Sequence, residues 1–109
     1  MATVYKILGQ ALGTTSLASL YSVPASTSAV VSTISVANLT ANDVTYRINV
    51  KKAGEADNDK QFLVYDATVL AKSTATYTLG ITLGAQDQLR VLCSTANAVA
   101  FQAFGSEMS

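Results

Sequence analysis

The chain predicts an antiparallel β-sandwich, and three observations predict it. Residues Val44 to Val50 read Val-Thr-Tyr-Arg-Ile-Asn-Val, alternating apolar and polar without a miss, as a strand does when one face packs on a core and the other meets water. Turn-forming residues punctuate the sequence so that about seven or eight short strands fit, at intervals of about 8 to 12 residues. No segment carries the 3.6-residue apolar stripe of an amphipathic helix. The expected architecture is all-β, an immunoglobulin-like sandwich as first choice and a jelly roll as the alternative, in a single domain over residues 1–109, a length within the usual range of an autonomous unit. The Cys and Trp hallmarks of antibody domains are absent, so any immunoglobulin likeness concerns architecture and not ancestry.

Taken in order, Thr3 to Leu8 is β-branched and aromatic and predicts a first strand ended by Gly9, before a flexible Gly13-Thr14-Thr15-Ser16 stretch. Leu17 to Val23 alternates loosely and stops at Pro24, which cannot donate to a ladder. Val30 to Leu39 has apolar residues on both sides, Val30, Ile34 and Val36 against Val31, Thr33 and Leu39, as a central strand would. Turn chemistry in Asn38 to Asp43 joins it to Val44–Val50 as an expected hairpin. There Val44, Tyr46, Ile48 and Val50 should face inward, and Thr45, Arg47, Asn49 and Lys51 outward. Ala53 to Lys60 is the most polar segment and reads as an exposed loop, followed by a short strand over Gln61 to Tyr65. Val69-Leu70 and Thr76 to Leu79 bracket a Ser/Thr/Lys turn, and Ile81-Thr82-Leu83 reads as a turn or short 3₁₀ element between Gly80 and Gly84. Gln88 to Cys93 and Val99 to Phe104 complete the chain as a second expected hairpin.

Composition narrows the function. The chain has no His, one Cys and no Trp, with seven acidic and seven basic residues and zero formal net charge. Without His the usual proton acceptor of a nucleophilic triad is missing, and nothing in the spacing of the acids selects a glycosidase pair. No enzyme is expected. A neutral chain projects no broad field toward phosphate backbones or anionic membranes, so neither nucleic acid nor membrane is an expected partner. No apolar run reaches the roughly 18 residues of a membrane span, and the first ten residues lack the basic and apolar regions of a secretory signal.

Glu55-Ala56-Asp57-Asn58-Asp59 is the nearest approach to a metal cluster, but counted from Asp57 the sixth and twelfth places hold Phe62 and Thr68 where an EF-hand needs Gly and Glu. With Lys51, Lys52 and Lys60 it reads as a solvated, mixed-charge loop, so no metal and no cofactor is expected. Gly9 to Gly13 lacks the Lys-Ser/Thr of a phosphate loop and reads as a turn. Cys93 falls on the apolar side of its strand as a small hydrophobe. Asn38-Leu39-Thr40 matches the glycosylation sequon, and with no secretory route expected the match reads as chance. Tyr5, Tyr21, Tyr65, Phe101 and Phe104 exceed what one small core requires. An aromatic with a polar tip suits an interface, and the candidate partner-contact residues are Tyr5, Ile7, Tyr65, Phe101 and Phe104.

Several blocks carry a resemblance. Ala2 to Gln10 (Ala-Thr-Val-Tyr-Lys-Ile-Leu-Gly-Gln), Leu20 to Pro24, Val31 to Asn38, Thr45 to Ile48 and Phe104 to Ser109 resemble small virion structural proteins of tailed bacteriophages, especially those infecting cyanobacteria. The blocks span nearly the whole chain, as short, low-complexity words. The resemblance implies a β-sandwich present in many copies on a particle, as capsid decoration or in the neck, tail or fibre apparatus. Its implied partners are other virion proteins and further copies of itself, as trimers or a lattice. Contact would be made around Tyr5 and Ile7 or around Phe104, by edge-strand addition or packing. The alternative expectation is a host-receptor or carbohydrate-binding module, which needs an aromatic platform or a calcium site.

Overall fold

A computed structural model describes residues 2–109, and among these the regular structure is nine strands and one 3₁₀ turn at Asp59–Gln61. The strands are β1 (Thr3–Leu12), β2 (Ala18–Ser22), β3 (Ser28–Asn38), β4 (Val44–Lys51), β5 (Phe62–Val69), β6 (Thr74–Tyr77), β7 (Ile81–Leu83), β8 (Gln88–Cys93) and β9 (Val99–Met108). They form two antiparallel sheets. A front sheet runs β1-β9-β3-β6, with β7 also on β3, and a back sheet runs β2-β8-β4-β5.

The pairing has a simple logic. β4 pairs with β5, β3 with β6 and β7, β2 with β8 and β1 with β9, so the chain is one long two-stranded ribbon whose rungs fall alternately in the back and front sheets. Wrapping that ribbon brings β3 beside β9 and β4 beside β8. This is the winding of a jelly roll and not of an immunoglobulin domain, although both are sandwiches.

The wrapping also explains why neither expected hairpin forms. β3 and β4 lie in opposite sheets, as do β8 and β9, and the short segments between them are corners that cross the sandwich. At the first corner Asn38, buried among apolar neighbours, donates to the carbonyls of Asn42 (2.7 Å) and Val69 (3.0 Å) and accepts from Thr40 N (2.9 Å) and Thr40 Oγ1 (2.8 Å). The turn chemistry is real, but it stitches a crossing. With its amide fully engaged, the sequon asparagine is not on the surface.

Bulges set the remaining departures. In β3 the register with β9 shifts between Val31 and Thr33, so Ala29 and Val31 point inward before the shift and Ile34, Val36 and Asn38 after it. That change of parity produces the two-sided apolar pattern. β1 continues past Gly9 to Leu12 because Gly9 sits in a bulge where a Cβ would overlap the Leu20 carbonyl oxygen. In β2 a shift between Ser19 and Tyr21 buries the neighbours Leu20 and Tyr21 together. Ile81–Leu83 is a strand after all, since β3 extends beyond β6 and leaves Ala29 to Val31 free to pair with it.

The core lies between the sheets. Its largest fully buried side chains include Tyr46, Phe101, Ile34, Ile48 and Leu89. The Tyr46 ring meets Tyr77 and Phe101 edge-on at centroid distances of 6.3 and 6.4 Å, and the Tyr46 and Tyr77 hydroxyls hydrogen-bond, joining β4 of one sheet to β6 of the other. Burial pushes the Tyr46 hydroxyl well above the ordinary phenol range, with the Tyr77 hydrogen bond adding to it. Cys93 is buried and packs as a core hydrophobe, and burial likewise raises its thiol.

Candidate functional site

Residues opposite one another in an antiparallel pair share a face, so the register assigns the front sheet's outer surface row by row. Thr3, Met108 and Ser28 make the first row; Tyr5, Ser106, Val30 and Thr82 the second; Ile7, Phe104 and Thr33 the third. Gln10, Gln102, Ser35 and Thr76 follow, then Leu12, Ala100, Ala37 and Thr74. The intervening rows hold Ala29, Val31, Ile34, Val36, Phe101 and Ala103, buried in the core, and at the β1 margin the exposed Val4 and Lys6. Among the described residues, the rows of this outer face contain no charged side chain. At its β1 margin Tyr5, Ile7 and Leu12 are 84%, 53% and 51% exposed.

Three of the five expected contact residues are thereby brought together. Ile7 and Phe104 are direct cross-strand partners and Tyr5 lies one row away on the same face. Phe101 is not with them: it is fully buried. The correction follows from strand geometry, because Phe101 and Phe104 are three residues apart on an unbroken stretch of β9 and must point to opposite faces. Tyr21 is likewise internal. Its hydroxyl donates to Glu107 Oε2 at 2.5 Å, burial and that carboxylate raise its pKa, and Lys6 Nζ meets Glu107 Oε1 at 3.0 Å.

Tyr65 is exposed on the back sheet, where β5 bulges opposite Arg47 and Asp66 takes a left-handed conformation (φ 56°). The Arg47 guanidinium sits 3.8 Å from the Tyr65 ring centroid and forks onto Asp66 at 2.7 and 3.1 Å, while Phe62 packs edge-on at 5.0 Å. One face of the Tyr65 ring is therefore covered by its own chain.

The mixed-charge loop is more ordered than its composition predicts. Arg90 on β8 is nearly buried and donates to Asn49 Oδ1 at 2.9 and 3.1 Å, to Asp57 at 3.1 Å and to Gln61 at 3.3 Å. Gln61 in turn reaches Glu55 Oε1 and the Ala56 carbonyl, both at 2.9 Å. The loop thus folds down over the back sheet, and Asn49, expected to face water, is buried beneath it with its Nδ2 unpartnered. Lys51 and then Arg90 hold the Asp57 carboxyl below the usual carboxylate range, and Gln61 and Lys60 do the same for Glu55. These acids face cations and amides of the same chain. Among the described residues, no group of three or more His, Cys, Asp or Glu side chains converges as a metal site would require.

The surface that stands out is thus an uncharged, partly apolar sheet face, suited to shape-matched contact. Periodicity alone could locate it once the β1 and β3 bulges are known; the charge-free character is legible only after the rows are assembled. Compared with known protein families, with curated proteins and with solved structures, the chain finds no match.

Proposed function

We propose that this chain is a non-enzymatic structural component of a bacteriophage virion, binding other virion proteins and further copies of itself as capsid decoration or in the neck, tail or fibre apparatus. Two of the blocks that carry the resemblance, Ala2 to Gln10 and Phe104 to Ser109, supply most of the edge strand β1 and the C-terminal half of its neighbour β9, where Tyr5, Ile7 and Phe104 lie. That coincidence is the observation on which the reading rests. A jelly roll agrees with it, being an architecture used in viral capsids as well as in lectins and cupins, though fold alone assigns no role. A sugar-binding module is less well supported, because the most exposed back-sheet aromatic, Tyr65, already stacks on Arg47. Mass spectrometry of purified virions from the phage encoding this chain should find it in many stoichiometric copies. Its absence from those particles would end the proposal.

A further inference from the structure

Resting on that reading, we propose that copies of this chain associate through the outer face of the front sheet, face to face and not by adding strand to strand. The edges argue against strand addition. A free edge is guarded when it is bulged, kinked, short or carries an inward charge. β1 has a bulge at Leu8 and carries Lys6 on its inner-facing row, exposed at the margin and paired with Glu107. β2 is short and bulged, β5 is kinked at Asp66, and the far front edge is divided between the short β6 and β7. Each margin therefore carries a device that discourages continuation of the ladder.

The face carries no such device. Its rows hold Tyr5, Ile7, Val30, Phe104, Leu12 and Met108 among Thr, Ser, Gln and Ala, and every charge of the sheet lies on its inner side or in loops. A charged partner would leave its own ions desolvated and unpaired against this surface, at a cost of several kcal/mol each. A second copy brings an equally neutral surface and meets no like charge. Size agrees as well: the long β1, β9 and β3 with the short β6 and β7 as a fourth rank give a patch on the order of 600 Å² before side-chain relief is counted, close to the roughly 800 Å² per partner of a standard interface. The molecule measures 45 × 29 × 19 Å along its principal axes.

Sedimentation of the full chain tests the arrangement. Wild type should self-associate, and Ile7→Lys at the β1 margin and Thr76→Lys on β6 should each raise the dissociation constant about 100-fold. Thr68→Lys, on the outer face of the back sheet, should leave it unchanged. Thr76 is exposed and three strands from β1, so its substitution weakens face packing but not β1 edge pairing, and its fold can be checked by circular dichroism. A wild-type monomer at the highest soluble concentration, or an assembly indifferent to Thr76→Lys, overturns the inference. A chain abundant in virions yet monomeric in solution sinks only this inference, whereas its absence from virions sinks the functional reading whatever the sedimentation shows.

Discussion

Glu107 is the residue where one side chain holds three strands. It accepts from Tyr21 on β2 and pairs with Lys6 on β1 while belonging to β9, so it ties the back sheet to the front at one end of the sandwich. The Tyr21 hydrogen bond and then Lys6 hold its carboxyl below the usual glutamate range. A carboxyl with a lower pKa folded than unfolded contributes stability that is complete above the unfolded value of about 4.3 and disappears as pH falls through the folded one. Glu107→Gln is therefore expected to be less stable than wild type at neutral pH, with the two converging in acid. Urea titrations at a series of pH values read the difference, and parallel profiles would show that the carboxylate contributes nothing. The pairing itself was not legible in the sequence, since Lys6, Tyr21 and Glu107 share no local pattern and meet only through the winding. Tyr46 and Ile48 were legible from alternation, and Asn49 was not, because Arg90 of β8 and the loop side chains it holds, Asp57 and Gln61, cover it.

Among the elements, β1 shows best how a residue can be read for the wrong reason. Gly9 looks like a terminator, yet the strand runs through it, and glycine is required because β1 approaches the Leu20 carbonyl of β2 too closely for a Cβ. Gly9→Ala should cost about 3 kcal/mol or more, as overpacking against backbone does. Gly54→Ala, at φ +74° with open space around it, should cost only about 1 kcal/mol. Equilibrium denaturation of the two variants checks the ranking, and equal losses would show that the approach relaxes cheaply. The positions of most strands followed from period-two alternation and turn residues. Their partners did not, because a crossing corner and a hairpin turn use the same Asn, Asp and Ser. β7 was missed because three residues between glycines carry too little periodicity to register as a strand.

Across the whole molecule, charge is distributed by surface. Arg47, Lys51, Asp66 and Arg90 belong to the back sheet and its bulge, Glu55, Asp57, Asp59 and Lys60 to the loop beside it, and the front face has none. Zero net charge, visible from composition, concealed this asymmetry. Association through a neutral face should persist or strengthen as salt rises to about 0.5 M, where exposed ion pairs are screened. Sedimentation at low and high ionic strength decides, since dissociation by salt would place the contact on the charged side.

Because β1 pairs with β9, Ala2 and Ser109 exchange two backbone hydrogen bonds of 3.1 Å each. A peptide of a few residues could therefore splice residue 109 to residue 2, and new termini could be opened at the exposed Gly54 turn without cutting a strand. Such a circular permutant would move any fused tag or fluorophore from the rim of the neutral front surface to the charged loop, leaving that surface unobstructed.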